Sequence, residues 1–252
     1  MNYNWNWSIF LDQAPGGGTY LTTLLNGLAW TVSTAVLSWI LALTVGIVIG
    51  VARTVENVWV RRIGTVYVEL FRNIPLLVQM FLWYFVMPEL VPASLGNAIK
   101  QIAPPWGIFV PAVLCLGFFT ASRIAEQVRA GIQSLPRGQN MAGTALGMRP
   151  AQVYRYVLLP TTFRIILPPL TSELLNLIKN TSIAFTIGLL ELVGAARSMQ
   201  EFSFQVFEAF AAATLLYLLL NLVVVRMMLM IERKFAVPGL AGASTTTTEV
   251  LK

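Results

Sequence analysis

Long apolar runs alternate along the chain with short polar stretches that carry glycine, proline and basic residues. Five of the runs are long enough for a helix to cross a bilayer core, which takes about 20 residues. They lie at about 24–51, 63–87, 108–131, 165–190 and 206–231. The first is long enough to tilt. The middle three are continuous only if embedded polar groups are allowed. The second holds Glu69, Arg72 and Asn73, with Pro75 predicting a kink. The third holds Arg123, Glu126 and Arg129, and the fourth Glu173, Lys179 and Asn180. Charged groups inside a span face protein or water, so this pattern predicts a lined cavity. The fold class is an all-α integral membrane protein with five transmembrane helices.

Basic residues set the orientation. Arg53, Arg61 and Arg62 flank the first connection, and Arg137, Arg149, Arg155 and Arg164 fill the central one. Arg226, Arg233 and Lys234 end the last span. The alternate connections, about 88–107 and 191–205, carry only Lys100 and Arg197. Positive residues stay inside, so the N-terminus is expected outside and the C-terminus inside. Residues 1–19 then form an external segment and 20–235 the membrane domain. Residues 236–252, with Ser244 and four threonines, form a cytoplasmic tail expected to be disordered.

Composition narrows the function. Charged residues make up 11% of the chain, against about 25% in soluble proteins, and mean hydropathy is +0.70. The net charge of +6 therefore reads as cytoplasmic loops and not as a nucleic-acid surface. One cysteine, Cys115, excludes an internal disulfide framework, and the chain has no histidine ligand or base. No basic residue precedes Arg53, so no signal peptide is expected. No phosphate loop ending in Gly-Lys-Ser/Thr occurs, so ATP is not expected to bind this chain. No catalytic or metal-binding constellation stands out. No internal repeat occurs, which argues against a secondary carrier built from two related halves.

Arg123 is the sharpest candidate for ligand contact. Two other readings stand beside that one: pairing with Glu126 one turn on, and snorkelling to the inner surface. Glu126 could equally pair with Arg129, which would leave Arg123 free. Lys179 lies mid-span, too deep to snorkel easily. The following Asn180, Thr181 and Ser182 can offer side-chain and backbone polar groups to a ligand, or serve as packing glue. Two cations with few acids nearby favour anions. Arg72, Asn73 and Glu126 complete the expected lining. Gly46 and Gly50 form a GxxxG read as helix packing. Trp5, Trp7, Trp83 and Trp106 read as interface anchors.

The central connection, 137–160, is too polar for lipid and carries three arginines without an acid. Residues 140–146 favour helix, Gly147 suits a left-handed stop and Pro150 a new start. The pattern predicts a helical hairpin at the membrane surface, a handle for another protein. Gly138, Gln139, Ala142, Ala145, Leu146 and Gly147, then Val157-Leu158-Leu159-Pro160, resemble the "EAA" loop of ABC-importer permeases. Met141 stands where that motif has glutamate, and Gly143 where it has a second alanine. Other stretches resemble the polar amino-acid branch of the same family. They are Phe71-Arg72-Asn73-Ile74-Pro75-Leu76-Leu77-Val78-Gln79, Ala125-Glu126-Gln127-Val128-Arg129-Ala130-Gly131-Ile132 and Lys179-Asn180-Thr181-Ser182. Val68-Glu69-Leu70, Ile187-Gly188-Leu189-Leu190-Glu191-Leu192 and Phe207-Glu208-Ala209-Phe210 point within it to the glutamate/aspartate importer permeases.

The resemblance implies a type I permease fold in a bacterial cell inner membrane. It implies a second permease chain, identical or related, and two cytoplasmic ATPase subunits that hold the ATP. It also implies a periplasmic amino-acid-binding protein and an amino-acid substrate. The ATPases would dock on Gly138, Gln139, Met141, Ala142, Ala145, Leu146, Gly147 and Arg149. Many branch members have tyrosine at the position of Arg123, a difference that suits an acidic substrate. Import of glutamine or asparagine, or ion-coupled carriage, are the rival functions.

Overall fold

The computed structural model describes residues 3–235, and every element named within them is helical. We label them α1 (Tyr20–Ala52), α2 (Val58–Asn73), α3 (Leu76–Leu90), α4 (Ala93–Lys100), α5 (Trp106–Gln133), α6 (Arg137–Ala145), α7 (Pro150–Ile187), α8 (Leu192–Ser203) and α9 (Val206–Phe235). Helices α1, α5 and α9 are each long and apolar enough to cross a membrane. The bent pairs α2/α3 and α7/α8 raise the number to five if each pair is one span. The predicted tail, 236–252, lies outside the described residues.

Helix α1 begins at a capping box, where Thr19 and Thr22 each bond the other's backbone N–H. After Tyr20 and Leu24 in its first turns, its buried stripe is made of small residues: Gly27, Thr31, Thr34, Ala35, Ser38, Ala42, Gly46 and Gly50. Its large ones, Leu25, Val36, Ile40 and Val48, point outward. Small-inside, large-outside is what a helix in lipid needs, because close backbone approach gives it packing that apolar burial cannot. Gly46 and Gly50 lie against α5, as the GxxxG reading expected, while Gly27 lies against the start of α8.

Pro75 does more than kink the second span. The residue before a proline is pushed out of the helical region, and Ile74 sits at φ −92°, ψ 128°. Helix α2 ends there, and α3 leaves at 103°. The amide of buried Gln79 donates to the carbonyls of Phe71 at 2.7 Å and Ile74 at 2.8 Å, closing the break. Helix α7 stays one rod through a π turn at Tyr154–Leu158 and the pair Pro168 and Pro169. It tightens to 3-10 geometry over Thr181–Ile187 and turns at Gly188, whose φ is +96°.

The outer connection expected at 191–205 is helix α8. Its cap is the fully buried Glu191, which accepts from Val193 N at 3.1 Å, Gly194 N at 2.9 Å and Tyr217 Oη at 2.9 Å. Thr31 of α1 accepts from Leu192 N at 3.1 Å, so one polar knot ties α1, α8 and α9. The N-terminal segment is fastened to α9 in the same way. Asn6 N donates to Glu208 Oε1 at 2.8 Å, and Tyr3 Oη bonds Gln205 and Glu208. Trp5 and Trp7 stack on each other and stay exposed. Trp83 departs from the anchor expectation: it stacks on Phe118 beside the core.

Candidate functional site

Helical spacing assembles one polar cleft. Phe119 and Arg123 share a face of α5 at i, i+4, and Asn176, Lys179, Asn180 and Ile183 share a face of α7. With Leu76 at the start of α3 they line an open cleft of about 440 Å³. The structure thus brings together Arg123, Lys179 and Asn180 of the expected lining. Thr181 is buried, with its hydroxyl on Ile178 O at 2.8 Å. Ser182 Oγ donates to Lys179 O at 2.7 Å. Arg72 and Asn73 are exposed at the α2 end of the break, and neither lines the cleft.

The alternative Arg123–Glu126 pair does not form, and Glu126 pairs with Arg129. Arg123 instead reaches Glu173 of α7, through Nε to Oε2 at 2.6 Å and Nη2 to Oε1 at 3.1 Å. Gln127 Nε2 also donates to Glu173 Oε1, at 3.1 Å. Glu173 is nearly hidden, with 9% of its side chain exposed, while Arg123 keeps 42% open. No carboxylate among the described residues pairs with Lys179. The cleft therefore carries one compensated and one uncompensated cation, a field that favours anions.

Glu126 belongs to a separate knot. It accepts from Arg53 Nη1 at 2.5 Å on Oε2, and Arg129 takes its Oε1. This corrects its place in the expected lining: two arginines hold it, and it faces the end of α1. Next to it, Thr54 Oγ1 and Tyr154 Oη lie 3.1 Å apart. Tyr154 also donates to Thr54 O at 3.1 Å, tying the end of α1 to the first turns of α7.

The central hairpin has the predicted shape, with a helix that starts three residues earlier than expected, at Arg137. Its end is a Schellman motif. Gly147 N donates to Thr144 O at 2.9 Å, Met148 N to Gly143 O at 3.1 Å, and Gly147 has φ +76°. Helix α7 then starts at Pro150, with Arg149 N on Gln152 Oε1 at 2.8 Å. A Cβ on buried Gly143 would sit 3.0 Å from Val153, so glycine here lets α6 close on α7. Gly138, Ala142, Ala145 and Arg149 are exposed, and Gln139 is half-buried. Met141 is 70% exposed and Leu146 78%, leaving two large apolar side chains on one small hairpin.

The family model described as binding-protein-dependent transport system inner membrane component matches residues 42–237. Glutamate/aspartate import permease protein GltJ of Escherichia coli (strain K12) is 48% identical over 244 residues. That alignment covers 96% of this chain and 99% of the relative. Probable amino-acid ABC transporter permease protein PatM of Vibrio harveyi is 32% identical, covering 85% of this chain and 92% of the relative. Among solved structures, a crystal structure of an amino acid ABC transporter with histidines superposes with TM-score 0.72 at 27% identity. It covers 85% of this chain and 95% of that one.

Proposed function

The chain belongs to the family of binding-protein-dependent transport system inner membrane components, and from that premise we propose that it imports acidic amino acids. It is the transmembrane permease subunit of an ATP-driven importer, and glutamate and aspartate are its cargo. The observation that carries the substrate class is the cleft, where Arg123 and the uncompensated Lys179 face one space. A likeness to a relative named for glutamate/aspartate import supports it. Arginine can hold a carboxylate with two parallel hydrogen bonds, and Lys179 with Asn180 adds charge and donors.

In this reading a second permease chain, identical or related, completes the pathway in a bacterial inner membrane. Two cytoplasmic ATPases bind and hydrolyse the ATP and dock on α6 and the start of α7 through Met141 and Leu146. A periplasmic binding protein delivers the amino acid. The test is uptake by proteoliposomes holding the assembled transporter. ATP-dependent accumulation of glutamate or aspartate, exceeding that of glutamine and asparagine, is the expected result. Accumulation driven by an ion gradient without ATP would overturn the reading in favour of a secondary carrier.

Gly147→Val tests the hairpin. A β-branched residue at φ +76° costs about 1–2 kcal/mol or more, and no atom lies within 4 Å to compensate or clash. The turn should open and shift the exposed Met141 and Leu146. Substrate-stimulated ATP hydrolysis is then expected to fall several-fold while the permease itself still folds. Normal assembly with normal stimulation would count against docking at this hairpin.

Orientation is tested with single cysteines in a Cys115-free background. Labels at Ser8, Asn97 and Ser203 are expected to react from outside intact cells. Labels at Asn57 and Ala151 are expected to react only after the membrane is opened. Reaction of the Ala151 label from outside would reverse the orientation and remove the hairpin from the ATPases.

A further inference from the structure

The Arg123–Glu173 pair is lopsided. Glu173 is nearly buried and does not line the cleft, while the half-open Arg123 that it holds does. Its three accepted hydrogen bonds, two from Arg123 and one from Gln127, use both carboxylate oxygens. The hold uses Nε and Nη2, and Nη1 makes no hydrogen bond among the described residues. Here the acid is hidden and the base is offered.

Accepting the acidic-substrate reading above, we propose that Glu173 is an internal competitor for Arg123 that sets both specificity and release. Its carboxylate fixes the guanidinium plane through Nε and Nη2 and leaves Nη1 without a hydrogen bond among the described residues. It also cancels most of the charge that a substrate carboxylate would otherwise meet. An arginine without that partner would grip an anion too long for a transport cycle, because affinity gained in a bound intermediate slows the step that leaves it. A substrate carboxylate and Glu173 share one guanidinium, through different nitrogens. When the substrate departs, Glu173 still holds the fork, and the site returns to its starting state. The two groups sit on different helices, α5 and α7. Relative movement of those helices would therefore change how much of the arginine's charge the substrate meets.

The test measures equilibrium binding of L-glutamate and L-glutamine to the purified transporter complex in detergent, without any binding protein. It is paired with uptake at saturating binding protein. Glu173→Gln keeps the volume and removes the charge. Glutamate should bind about tenfold more tightly, within the range seen for coupled charge pairs, and its turnover should fall. Glutamine binding should not change. Glu173→Asp keeps the charge but withdraws it by one methylene, and should shift both quantities the same way by less. This second variant reads the proposal even if the first folds poorly. Unchanged affinity, or equal losses for both ligands, would overturn the proposal and leave Glu173 a structural partner. In an Arg123→Gln background the Glu173→Gln change should no longer tighten glutamate. If it still does, Glu173 acts by another route and the proposal fails while the substrate reading stands. If Arg123→Gln alone leaves the glutamate-to-glutamine ratio untouched, the substrate reading itself fails.

Discussion

Arg123→Gln is expected to slow glutamate and aspartate uptake by one to two orders of magnitude and to spare the amides. Losing a hydrogen bond to a charged group costs about 1.5–3 kcal/mol, which is that range in affinity. Glutamine retains a donor towards Glu173, so the buried carboxylate is not left facing an apolar wall. Arg123→Lys should recover part of the loss, because a point charge cannot reproduce the fork. A purely structural arginine predicts equal damage to all substrates together with low protein levels. Transport is measured in proteoliposomes with the binding protein saturated, since that protein also selects. A variant that assembles normally and moves acidic substrates at the original rate would sink the assignment.

The second large effect concerns folding. Gly50→Leu and Gly46→Leu should each abolish a well-packed permease. A Cβ at Gly50 would lie 2.6 Å from Val128 Cβ and 2.8 Å from the Ala125 carbonyl. At Gly46 it would lie 2.8 Å from Ile124 Cβ and 3.0 Å from the Ala121 carbonyl. These are backbone and branch-point atoms of α5, which cannot swing aside as a flexible side chain would. Helices α1 and α5 must part, at a cost of about 3 kcal/mol or more at either position. Gly16→Ala is the control, with no atom within 4 Å of its added Cβ. The measurement is thermal unfolding in detergent with the monodisperse yield. Wild-type stability of Gly50→Leu would show that the two helices pack otherwise.

The spans without embedded charge were readable because lipid imposes one rule on every outward residue. Helix α1 was found within four residues at its start and one at its end. Gly147 was readable because the left-handed turn has few occupants besides glycine. The partner of Arg123 was not. Glu126 lies one turn away and looked natural, whereas Glu173 is 50 residues distant. Glu126 is taken by Arg129, the other local partner, and by Arg53, 73 residues before it at the end of α1. Local spacing proposes partners, but a third chain segment can take one of them away. The angle at Pro75 was half legible. Proline announces an interruption, and the rotation across it depends on what α2 and α3 pack against.

The side chain of Gln79 changes what that interruption means to a bilayer. Carbonyls released by a broken helix have no water to turn to in hydrocarbon, and each left bare costs several kcal/mol. Both N–H groups of one amide are spent on two such oxygens, those of Phe71 and Ile74. Two of the carbonyls at the corner are thereby met from within the chain. The chain turns through 103° with these two oxygens met by its own side chain, so neither adds its exposure cost to the bend.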